Sequence, residues 1–258
     1  MEQYKALVSA LLEKGTRHDG RKLFDYRDVK VEVNPIPRAN GSARVHIGQT
    51  EVVVGVKFDV DTPFPDTPEE GILIVNAELS PISNAEFEPG PPGPEAVELA
   101  RVVDRGIRES GCIDFGKLCI TPKEKVWVTF IDIYPMNDDG NLLDAAALAA
   151  VVALKNAVLP KYDEKEDIVL YKELSKKKLD MEDIPILTTF AKISGYIFAD
   201  MDKKEEKAMD ARLSLSTLSS GKVAAMQKGG TGTFKKEEVL NLFEKAVEKG
   251  KELRKLVK

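Results

Sequence analysis

The chain has 258 residues, of which 43% are hydrophobic and 31% charged, with 14 Pro and 18 Gly. That composition excludes a fibrous or largely disordered chain. Surface scaling gives a folded area of about 11,000 Å² against roughly 41,000 Å² for the extended chain, so the core needs no disulfide or structural metal. A net charge of −5 argues against a protein that grips nucleic acid over its whole surface and leaves room only for a local basic patch.

The first segment reads as an amphipathic helix with Tyr4, Leu7, Val8, Leu11 and Leu12 on one face and Gly15 as its stop. Strand signals follow: Val29, Val31 and Val33 alternate up to Pro35, and two β-rich runs between Ser42 and Val60 flank Gly48-Gln49. A further apolar run covers Ile72 to Leu79, and the stretch from Glu88 to Pro94 is too rich in Pro and Gly to be regular. A helix is predicted from Glu95 to Ser110, then strands near Leu118–Thr121 and Lys125–Tyr134. Leu142 to Leu159 is apolar on nearly every side, the mark of a helix in the middle of a fold. The charged stretch Lys161 to Asp183 reads as an exposed link. Beyond it lie β-rich runs at Ile186–Ile193, Tyr196–Ala199, Arg212–Ser219 and Val223–Gln227, then a final helix from Lys235. The resulting expectation is an α+β fold with an N-terminal helix and turn over 1–28, a first half over 29–165 and a second half over 184–258.

Cys112 and Cys119 lack a paired spacing and read as reduced thiols of a reducing, cytoplasmic compartment. His18 and His46 leave little material for a zinc site. The N-terminal residues lack the basic start and cleavage site of a signal peptide, and no run of about 18 uncharged apolar residues exists to span a membrane.

Few clusters carry chemistry. On the Glu95–Ser110 helix, Arg101, Arg105 and Arg108 share the face opposite Ala96, Leu99, Ala100, Val103 and Ile107. Spacing alone makes this a solvated charged face; the alternative is a row of guanidinium groups for phosphates. The acidic run Asp200, Asp202, Glu205, Glu206 and Asp210 fails as an EF-hand loop, because Glu205 stands where Gly belongs, and reads as a surface turn between strands. Asp138, Asp139 and Asn141 read as a self-capping start of the buried helix. Gly229 to Thr233 lacks the Lys-Ser/Thr ending of a P-loop and reads as a connecting turn. Arg17-His18-Asp19-Gly20-Arg21 is a compact polar turn with no triad partner nearby in sequence.

Taken in order, Arg17–Arg21, Gly41-Ser42-Ala43, Gly48-Gln49-Thr50, the Arg101 helix, Asp132 to Ala150 and the acidic run resemble the RNase PH family of phosphorolytic exoribonucleases over nearly the whole chain. The N-terminal helix and the run Asn141 to Ala146 are most similar to the non-catalytic ring subunit of the archaeal exosome. The resemblance implies two similar βαβα halves in one globular unit. It also implies a catalytic RNase PH-like partner, a hexameric ring of three heterodimers, RNA-binding cap subunits and single-stranded RNA as ligand. Aligned on the acidic run, the first of the family's two acids falls on Glu206 and the second on Arg212. The family's phosphate-binding Ser and Arg fall on Asn141 and Leu142. These departures imply a chain without catalytic residues of its own, binding no cofactor, whose partner uses inorganic phosphate as co-substrate. By the same resemblance Arg101 and Arg105 are the RNA-binding candidates. Two other readings stay open: an active homo-hexameric phosphorolytic exoribonuclease, with Glu206 retained, and an assembly scaffold that never touches RNA.

Overall fold

A computed structural model describes residues 2–257, with side chains from Lys5 onward. Tyr4, read from sequence on the apolar face of the first helix, lies outside the described side chains. The first helix, α1 (Glu2–Glu13), ends at Gly15, whose φ of +73° suits a residue without Cβ. Val8 and Leu12, one turn apart, are buried against Ala191, Ile193, Phe198 and Met201 of the second half. Leu7, expected on the same face, is 57% exposed, because α1 rests on its support along a single ridge.

The first half is built on a six-stranded sheet formed by β1 (Val29–Val33), β2 (Gly41–Ile47), β3 (Thr50–Asp61), β4 (Ile72–Ala77), β5 (Cys119–Thr121) and β6 (Lys125–Asn137). Its main order is β1-β2-β3-β6-β4, with β5 alongside β6. All pairings are antiparallel except β4 with β6, which the helix α2 (Pro94–Arg108) makes possible as a crossover. The two-residue turn at Gly48-Gln49 joins β2 to β3, Gly48 supplying a φ of +60°. The second half is a four-stranded antiparallel sheet, β10-β9-β11-β12, from β9 (Ile186–Ile193), β10 (Tyr196–Ala199), β11 (Ala211–Thr217) and β12 (Val223–Gly230). The helix α5 (Lys236–Arg254) covers it through Leu242 and Ala246.

Between the sheets lies α3 (Leu142–Lys155), buried from Leu143 to Leu154. Its Ala-rich surface lets backbone approach closely: a Cβ on Gly41 of β2 would sit 2.8 Å from the Ala157 Cα. The apolar run after Asn141 predicts one helix to Leu159. It breaks at Lys155, and Val158 starts a new strand. The stretch read as a link is a hairpin, β7 (Val158–Asp163) with β8 (Ile168–Lys178), and its second strand is mostly exposed. This hairpin and the exposed Pro-rich loop contribute to an accessible surface of 13,098 Å², above the scaling expectation. The acidic run is a short helix, α4 (Lys203–Ala208), rather than a surface turn, and Asp200 and Glu205 within it are fully buried. Among the described residues both cysteines are free thiols, and no helix is long and apolar enough to cross a membrane.

Candidate functional site

The polar turn at residues 17–21 finds its partners some 180 residues away. Arg17, 2% exposed, donates from Nε to Glu205 Oε1 at 3.0 Å and makes a second, shorter bond to Glu205 Oε2. It also donates to the Ala199 and Asp200 carbonyls at 2.7 and 2.8 Å and lies over the Phe198 ring. The Asp200 carboxylate accepts from Arg21 Nη1 (2.8 Å), from the backbone N, Nε and Nη2 of Arg27 (2.8, 3.0 and 2.8 Å), and from Asn141 Nδ2 (2.9 Å). Burial alone would raise its pKa; the hydrogen bonds and charge of Arg27, helped by Asn141, hold it below the usual carboxylate range. Arg27 reaches on to the carbonyls of Asp139 and Gly140, so this segment ties the first half to the second.

His18, Asp202 and Glu205 place one ligand atom each within 4.8 Å of one another. Those atoms already hold one another. His18 pairs with Asp202 Oδ2, while Asp202 Oδ1 caps the amides of Lys204 and Glu205, and Glu205 Oε2 accepts the Asp202 amide. The Arg17 guanidinium on Glu205 opposes a further cation. The trio is a structural clasp that closes a capping box at the start of α4.

The start of α3 does not cap itself. Asn141 adopts φ +58°, and its side chain makes no cap bond; its amide donates to Asp144 and Asp200, leaving Oδ1 buried without a partner. Asp138 accepts the Gly140 amide and pairs with Lys203, and Thr50 Oγ1 donates to the Gly140 carbonyl at 2.6 Å. The loop is thus fixed from β3 and α4. Asp144, one turn into the helix, accepts from Tyr26 Oη (2.7 Å), Thr189 N (3.0 Å) and Thr189 Oγ1 (2.7 Å). Burial nevertheless pushes its pKa up to about 6, against the bonds from Tyr26, Thr189 and Asn141.

Beside this helix start opens a cleft of about 360 Å³ lined by Leu79, Glu98, Leu142, Lys203, Glu206 and Arg212, among others. Three positions that are up to 70 residues apart in sequence, Leu142, Glu206 and Arg212, meet here. Lys203 Nζ sits between Asp138 Oδ2 (2.5 Å) and Glu206 Oε2 (3.2 Å). Burial raises the Glu206 pKa, against the Lys203 charge. Arg212 Nη2 pairs with Glu98 Oε1 at 2.5 Å, and Lys207 pairs with Glu86. Each of these cations faces an acid of the chain itself, and the helix start offers leucine side chains. A phosphate entering here would meet carboxylates and methyl groups. A larger groove of about 910 Å³ shares the rim at Leu79, Glu86, Phe87 and Glu95 and adds Glu78, Glu88 and Asp132; in the sequence it shows only as an irregular Pro- and Gly-rich loop.

On α2 the apolar face is buried as its periodicity predicts, with Val102 and Gly106 joining it. The three arginines differ. Arg108 donates twice to Asp104 (2.6 and 3.1 Å) and to the Leu73 carbonyl, and lies over Phe115. Arg101 and Arg105 are exposed, and among the described residues neither has a hydrogen-bond or ion-pair partner. Arg105 borders a shallow crevice formed with Met226 and Gln227 of β12.

Residues 25–160 match domain 1 of the 3′ exoribonuclease family, RNase PH, and residues 183–249 match its domain 2. The chain belongs to this family, as its motifs led us to expect. Among curated proteins it is similar to "Exosome complex component Rrp42" of Methanosarcina acetivorans, 46% identical over 252 residues that cover 97% of this chain and 91% of that protein. Among solved structures it is similar to a chain of the Archaeoglobus fulgidus exosome with RNA bound to the active site. That chain has a TM-score of 0.91 and 40% identity, with 100% of this chain and 98% of the other covered. A chain of an archaeal exosome core follows at TM-score 0.85 and 38% identity, covering 98% and 95%.

Proposed function

We propose that this chain is a non-catalytic ring subunit of an archaeal-type exosome, pairing with a homologous catalytic subunit and holding single-stranded RNA through Arg101 and Arg105. Three such pairs alternate around a central channel, with RNA-binding cap subunits joined to the ring, and inorganic phosphate reacts at the partner's site to release nucleoside diphosphates. The observation that carries the non-catalytic reading is the Arg212–Glu98 ion pair, at the position where the family resemblance implies a second catalytic acid. Leu142 at the helix start and the ion pairs of Lys203 support it. The RNA role is supported by two exposed guanidinium groups with no partner among the described residues, on a helix whose third arginine is engaged.

The test is RNA affinity of the assembled ring without phosphate, so that no turnover occurs. Arg101→Gln with Arg105→Gln weakens binding of a short oligoadenylate and lowers the slope of log K against log salt by about 1.4, or 0.7 per lost contact. Unchanged affinity with an intact ring favours the scaffold reading instead.

A further inference from the structure

Arg101 and Arg105 share their helix with three acids, Glu95, Glu98 and Asp104, which makes the lack of partners among the described residues informative. Side chains three and four positions apart are neighbours on a helix, and opposite charges there close into pairs. Arg108 shows that outcome, held by Asp104 one turn earlier. Arg101 has two acids within such reach, Glu98 three residues before it and Asp104 three after. Asp104 is taken by Arg108. Glu98 is drawn away from α2 altogether: its Oε1 pairs with Arg212 Nη2 at 2.5 Å and accepts from Gln227 Nε2 at 3.4 Å. For Arg105 the acid in reach is Glu109, which follows it in the less favourable order.

The strands of the second half are shaped for this hold. Arg212 on β11 lies opposite Gly229 on β12, and a Cβ at Gly229 would stand 2.8 Å from the Arg212 Cζ. The glycine therefore leaves the slot in which the guanidinium lies on its way to α2. The Arg212 side chain is 13% exposed and that of Glu98 36%, so water is largely excluded from the cation and reaches the carboxylate from one side.

We propose that Arg212 is a positioning residue for RNA binding: by holding Glu98 it keeps Arg101 unpaired and available to an RNA phosphate. The cation at this position then has a role of its own beyond replacing an acid. The inference rests on the reading that Arg101 and Arg105 contact RNA. Without Arg212, Glu98 swings to Arg101, and one phosphate contact is lost along with its counterion release.

The experiment uses the full ring without phosphate and a short fluorescent oligoadenylate, titrated between about 50 and 200 mM salt. Arg212→Met should weaken binding about three- to tenfold and lower the salt slope by about 0.7, one contact's worth. Adding Glu98→Gln to that variant should restore both, and Glu98→Gln alone should leave both unchanged. Arg212→Lys, which keeps a cation for Glu98, should stay within about twofold of the parent. A merely structural role for Arg212 would not be rescued by neutralising Glu98. Unchanged affinity in Arg212→Met, or a loss that Glu98→Gln fails to repair, overturns the proposal. If the Arg101, Arg105 double variant is itself without effect, the clamp reading fails first, and this inference falls with it.

Discussion

Replacing Asp200 by Asn tests the clasp between the two halves. The carboxylate accepts five hydrogen bonds at 2.8 to 3.0 Å from Arg21, Arg27 and Asn141 and is fully buried. An asparagine keeps one acceptor oxygen, turns its NH₂ toward donors and leaves two guanidinium groups short of a counter-charge. Breaking such a buried pair from one side costs about 3–5 kcal/mol. At about 2–4 °C per kcal/mol for a chain of this size, the unfolding midpoint should fall by about 6–20 °C. Calorimetry at fixed protein concentration measures it. The pH dependence gives a second readout. The folded pKa of Asp200 lies below its unfolded value near 3.8, so its stabilisation is fully present above that pH and is lost as pH falls through the folded value. The gap between parent and variant should stay constant from neutrality to about pH 5 and narrow below about pH 4. A midpoint shift under about 2 °C at neutral pH would refute the claim that this ion network holds the halves together.

Asp144 should behave with the opposite sign: its folded pKa is raised to about 6, so proton uptake favours the fold as pH drops through that value, and a carboxyl-carbon NMR titration should show a midpoint near 6 rather than below 4. Gly140→Ala should destabilise by about 3 kcal/mol or more, since φ is +84° and the new Cβ would lie 2.6 Å from the Lys203 amide nitrogen; a midpoint within 2 °C of the parent in calorimetry would contradict this. Arg101→Gln with Arg105→Gln should leave the midpoint within about 4 °C, because exposed side chains with no partner among the described residues contribute within about 0.5 kcal/mol each.

Much of this fold is written locally. Alternation of Val, Ile and Thr marks the strands, and the all-round apolar surface of α3 places that helix between two sheets. What the local pattern hides is contact between distant segments. Arg17, Arg21 and Arg27 look like a solvated polar stretch until Asp200 and Glu205 arrive from the second half. The Asp202-x-x-Glu205 spacing is a capping-box signature that marks the start of α4, but a run of acids between two strands has the composition of a surface turn, which hides the helix. The exposed hairpin β7–β8 was obscured by its lysines, which mask a strand that buries little. At the cleft, the family resemblance singles out Glu206, Arg212 and Leu142 as separate departures, whereas their meeting in one cleft and the Glu98 partner of Arg212 belong to the three-dimensional arrangement. Likewise the arginine stripe is visible in the helical period, but only the structure separates the engaged Arg108 from its two free neighbours.

On the proposed function, this chain supports phosphorolysis without performing it. Purified alone with a labelled RNA and inorganic phosphate, it should release no nucleoside diphosphate. Assembled with its catalytic homologue it should yield an active ring, and that activity should drop at limiting RNA when Arg101 and Arg105 are both neutralised. Sustained release by the chain alone, abolished by Glu206→Gln, would contradict the account and make this chain an exoribonuclease in its own right.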